Sequence, residues 1–223
     1  MIGQELRRAR LALALLTERR AVLFIGIDAL FLFAGVMIGL TGERASAIDF
    51  WHPLVVLPAL VVAVPILADT VAVERRAGSL DLALTSPGAR LYFERRVAAV
   101  AALIVAQGWI CILVVSITDE AFPLSGPLLQ VVSVALFVAA VTLNWSVRLR
   151  TAGAVMFATY ATALAFSPWL ASNPIHPPTL LNGPMTAADI VHWTQNNLVL
   201  LAAAITFYAY ARQRLARPEL MIT

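Results

Sequence analysis

The chain has 223 residues, 61% of them hydrophobic and 13% charged, with a net charge of +3 and a mean hydropathy of +0.84. Ordinary soluble domains carry roughly 25% charged residues, so the composition excludes such a domain, a disordered chain and a disulfide scaffold, and points to a polytopic membrane protein. All 16 basic residues are arginine, and a chain without lysine forms neither a P-loop nor a catalytic Schiff base.

Residues 1–20 come first. Leu6, Ala9, Leu13 and Leu16 fall on one helical face, so the segment reads as an amphipathic helix on the inner leaflet. A plain charged extension is the alternative. Its apolar stretch 11–16 is too short for a signal peptide and runs straight into Glu18-Arg19-Arg20. Six apolar runs follow, at about 21–40, 54–73, 97–117, 128–147, 152–171 and 191–211. Each is close to the roughly 20 residues that cross a bilayer. In the last run only 198–211 is strongly apolar, so the polar stretch before it must help to span or lie at the interface. The expected fold is an all-α polytopic membrane protein with six transmembrane helices.

The arginines set the expected orientation. Fifteen of them fall in 1–20, in the loop 74–96, in the short connection at Arg148 and Arg150, and in the tail 212–223. Only Arg44 falls on the other side. By the positive-inside rule both termini are cytoplasmic. The segment 172–190 has no basic residue and several prolines, and is expected outside. Trp51, Trp169 and Trp193 fit an outer aromatic belt.

The loop after the second run carries the most information. It reads Glu74-Arg75-Arg76-Ala77-Gly78-Ser79-Leu80-Asp81-Leu82-Ala83-Leu84-Thr85-Ser86-Pro87-Gly88. Gly78-Ser79 signals a helix start, with Ser79 as N-cap and Asp81 in the first turn, and Pro87-Gly88 ends it. Leu80 and Leu84 form one short apolar stripe. About two turns of helix are not stable alone. The stripe therefore docks in a partner's groove or packs on the chain's own spans.

This loop resembles the permease signature of type-2 ABC exporters through Glu74, Gly78, Ser79, Leu80, Asp81, Leu84, Ser86 and Pro87. The resemblance implies a coupling helix that docks on a separate ATPase subunit. It implies a second permease copy or a related permease as partner, with ATP and Mg on the ATPase and no cofactor on this chain. Membrane lipid is the surrounding partner, nucleic acid is not one, and the expected location is the cytoplasmic membrane. Arg95-Arg96 stands where the family commonly opens its third span with a basic residue, often lysine. A haem-exporter-type permease of cytochrome c maturation is the alternative within the family; its Asn-Pro-rich start to the first span is absent here. A secondary transporter and a non-transporting scaffold are the alternatives outside it.

Polar groups inside the runs are few. Asp28 and Asp69 are candidates for a pathway or for pairing, and Asp69 also fits the inner interface. Gln107 and Asn144 are expected to hydrogen-bond between helices. Gly35 and Gly39 form a GxxxG pair that permits close helix packing. His52, His176 and His192 come from separate segments without ligand spacing, so no metal site is expected. No nucleophile–base pair or HExxH motif is present, so no catalytic residue is assigned.

Overall fold

The computed structural model describes residues 26–27, 29–31, 33–34, 37, 56–57, 59–80, 84, 89–118, 125–171 and 187–217. The amphipathic segment 1–20, Asp28, Gly35, Gly39, His52, His176, Trp51, Asp81, Ser86, Pro87 and the outer loop residues 172–186 lie outside the described residues, as does the tail beyond 217. Among the described residues all regular structure is helical. Two helical stretches, Leu91–Leu113 and Leu128–Ser146, are long and apolar enough to cross a membrane.

Described residues between Gly26 and Met37 are helical, and Ile27 packs on the core while Leu30 and Phe33 point away from it. The second apolar run is not one regular helix. Ala59–Ala63 is a π-helical turn, and α1, Val64–Arg76, continues it. Pro65 lies in the first turn of α1, where its fixed φ suits helix but its missing N–H interrupts the run of backbone bonds coming from the π turn. The helices α2, Ala89–Thr118, and α3, Ser125–Ser146, cover the third and fourth runs. At 1.5 Å per residue they measure about 45 and about 33 Å, against a hydrocarbon core of about 30 Å.

The fifth run is divided. Thr151, in an extended conformation, caps α4, Ala152–Ala165, by accepting from the Ala154 amide at 3.3 Å. The helix stops at Phe166 and resumes as the short α5, Ser167–Ala171. Pro168 has no N–H to offer the carbonyl four residues back, so the regular ladder cannot pass this point. The sixth run is the long helix α6, Ala187–Leu215, which includes the polar turn Thr194-Gln195-Asn196-Asn197.

Helix α3 is the centre of the bundle and packs against α1, α2, α4 and α6. Val131, Val134, Ala135, Phe137, Val138 and Leu143 on it are buried. At Gly108 the backbone of α2 comes down on Val131: an added Cβ would lie 2.7 Å from its Cγ1. Phe166 lies between Phe137 and Phe207, with ring centroids 5.0 and 6.4 Å away, and so ties the end of α4 to α3 and α6.

Three long-range contacts bring the arginine-bearing helix ends together. The Arg75 guanidinium donates to the Leu149 carbonyl, joining the end of α1 to the α3–α4 connection. Arg148 stands over the Tyr210 ring at 5.9 Å, joining that connection to the end of α6. The Tyr208 hydroxyl donates to Glu94 at 2.8 Å, joining α6 to the start of α2. Among the described residues, Arg75, Arg96 and Arg148 thus lie at helix ends that these contacts bring together.

Candidate functional site

The site is built from the turn that ends α1. Ala77 closes the last helical turn, and Gly78 takes the left-handed conformation at φ 68°. The Gly78 amide donates to the Arg75 carbonyl at 3.2 Å and the Ser79 amide to the Glu74 carbonyl at 3.0 Å. These two crossed bonds are a Schellman motif, which satisfies carbonyls that a helix end leaves free. Gly78 is needed because an L side chain disfavours this backbone region. Gly78 is therefore first a helix stop. Leu80, two residues on, is again helical.

The motif turns the chain back so that Ser79 faces the Glu74 carboxylate. Its hydroxyl donates to Oε2 at 2.5 Å. From α2, the Tyr92 hydroxyl donates to Oε1 at 2.5 Å, and Arg96 Nη2 lies 2.8 Å from the same oxygen. Arg96 is 2% exposed. It also donates through Nη1 to the Thr70 carbonyl at 3.2 Å, reaches the Tyr92 hydroxyl, and stacks 4.2 Å over the Tyr92 ring. One carboxylate thus holds three segments together: the end of α1, the following turn and the start of α2. Burial pushes the Glu74 carboxyl up, but the Ser79 and Tyr92 hydroxyls and the Arg96 charge outweigh it, so its pKa is lowered. A fixed, ionised carboxylate beside a buried guanidinium is a structural clamp rather than an acid–base pair.

Leu80 and Leu84 are both helical and each 7% exposed. They belong to the chain's own apolar core. Of the two readings of the leucine stripe, packing on the chain's own helices describes these two residues. Asp69 is buried midway along α1 and accepts from exposed Arg76 at 2.6 Å. Asn144 is buried on α3 and its oxygen accepts from Arg148 Nε at 3.1 Å, a turn further along the chain. Gln107 lies partly buried on α2.

Tyr92 and the pairing of Arg96 were not foreseen. The signal available was their i, i+4 spacing at the start of α2, which places both on one face. His192 and Trp193 lie in α6, with side chains outside the described residues. Among the described residues no three of His, Cys, Asp and Glu gather as metal ligands. No family model, no curated protein and no solved structure matches the chain. What the described residues define is a helical bundle with two membrane-capable helices and a polar clamp where α1 ends and α2 begins.

Proposed function

We propose that the chain is the membrane-spanning permease subunit of a type-2 ABC exporter, with six spans and both termini in the cytoplasm. The observation that carries this reading is the Glu74 clamp. Ser79, in the turn that bears the permease-like motif, is bonded to Glu74 of α1, and Glu74 in turn to Tyr92 and Arg96 of α2. A push on that loop is transmitted to two helices instead of being absorbed by a loose connection, which is what a coupling element requires. In this reading the arginine-bearing end faces the cytoplasm. A separate ATPase binds ATP and Mg there, and this chain performs no chemistry. A second permease copy or a related permease completes the pathway. Transport arises from differential binding of substrate in two conformations. Because Leu80 and Leu84 are buried within the chain, the ATPase contacts the outer side of the loop, and the two leucines anchor it.

The test is purification of the tagged chain in mild detergents with mass spectrometry of what accompanies it. A stoichiometric P-loop ATPase is expected, together with stimulated ATP hydrolysis that Glu74→Ala uncouples. A chain that emerges alone under several mild detergents overturns the reading. A cysteine placed at Ser172 is expected to react only with reagent supplied from outside the cell; labelling from the cytoplasmic side alone overturns the topology.

A further inference from the structure

The π turn and the first proline of α1 leave one backbone group in a special position. In a π-helical turn each carbonyl accepts from the amide five residues on. For Leu60 that residue is Pro65, which has no N–H. The Leu60 carbonyl therefore lacks its donor in this register. It lies within the apolar run 54–73, where an unsatisfied carbonyl is costly. The missing donor comes from elsewhere: the Tyr160 hydroxyl, on α4, donates to the Leu60 carbonyl at 3.1 Å. Tyr160 is presented from a fixed support. Two residues on, Thr162 accepts from Trp145 Nε1 of α3 at 3.0 Å and itself donates to Ala158 at 2.8 Å.

We propose that Ala59–Ala63 is a hinge in the second helical run and that the Tyr160 hydroxyl is the latch that holds it closed. Prolines and π turns are two of the common causes of helix bending, and here they lie side by side. Below the hinge, α1 is held at its far end by the Glu74 clamp and by Arg75 on Leu149. Releasing the latch frees the chain to bend about Pro65 while that anchor stays in place. This device needs no ATPase partner, so it stands or falls separately from the transport reading.

The test is hydrogen–deuterium exchange of the full chain in lipid nanodiscs, with Tyr160→Phe, Pro65→Ala and the double variant. Tyr160→Phe removes one hydrogen bond and is expected to speed exchange of the amides in 59–66 about five- to tenfold, with those of α3 unchanged. Pro65→Ala restores an N–H at position 65. In that background Tyr160→Phe is expected to have no further effect. Unchanged exchange in Tyr160→Phe overturns the latch. So does a double variant as loose as the single one, or loosening that spreads equally through α3. If Tyr160→Phe alone does not fold, recovery of folding on adding Pro65→Ala supports the assignment, and absence of recovery overturns it.

Discussion

The start and the middle of α2 are held by different physics. At its start, next to the arginine-bearing end, Glu74, Tyr92 and Arg96 form directional, partly charged bonds. Further along, at Gly108, α2 rests on Val131 with no room for a methyl group between them. Threonine hydroxyls further from that end return to their own helix: Thr142 to Val138, Thr162 to Ala158, Thr206 to Ala202. In the membrane-spanning reading proposed above, this division is what lipid imposes. Helices in hydrocarbon gain nothing from hiding apolar surface from one another, so the middle relies on close fit. At the end, water and headgroups allow charges, and a few polar bonds can fix which helix meets which.

The comparison predicts that the two regions fail in different ways. Glu74→Ala leaves the Arg96 guanidinium buried without its carboxylate, a loss of about 3–5 kcal/mol for a broken buried pair. Thermal unfolding in detergent should show it as the largest drop of the set. A shift no larger than that of an exposed substitution such as Arg95→Ala would mean that the clamp does not hold the bundle. In the middle, Gly108→Ala forces overlap with the stiff, β-branched Val131 and is expected to cost about 1–3 kcal/mol. Val131→Ala in the same chain should recover most of that loss, because it removes the overlapping methyls. No recovery would show that Gly108 matters for some reason other than the close approach.

The same contrast explains how much could be read from the chain. The apolar runs at 97–117 and 128–147 became α2 and α3, because long apolar runs have few alternatives to helix. The runs at 54–73 and 152–171 were also apolar, yet Pro65 and Pro168 interrupt them. Both prolines were in plain view. Whether a proline ends, bends or re-registers a helix depends on what satisfies the freed carbonyl, and for Leu60 that group is Tyr160, far along the chain. The loop motif drew attention to Glu74 and Ser79, but not to their joint role. Their partners Tyr92 and Arg96 stand on the next helix, and Arg96 looked like one more positive-inside arginine. The Gly108 approach carried no local signal, since half of it is Val131.

Gly78→Ala is a smaller test at the polar end. Nothing lies within 4 Å of the Cβ it would add, so the whole effect comes from holding an L residue at φ 68°. That costs about 1–2 kcal/mol. Gly78→Asn should cost less, because asparagine tolerates this region better. Equal loss in the two variants would point to a clash rather than to backbone conformation.

The smallest effect expected is a pH dependence confined to the polar end. The Glu74 carboxyl has a lowered pKa in the folded chain, because the bonds from Ser79, Tyr92 and Arg96 outweigh the effect of burial. The unfolded chain, with an ordinary glutamate near pH 4.3, then binds the proton more readily than the folded one. Stability from this group is complete above the ordinary glutamate range and is lost as the pH falls through the lower, folded-state value. Glu74→Gln cannot titrate. It should be less stable than the parent at pH 7, and the gap between the two should narrow on acidification towards pH 3. The other carboxylates titrate in both chains, so the difference between the two unfolding curves isolates Glu74. A gap that stays constant from pH 7 to pH 3 would mean that Glu74 acts through its shape and hydrogen bonds alone, with its charge contributing nothing to the clamp.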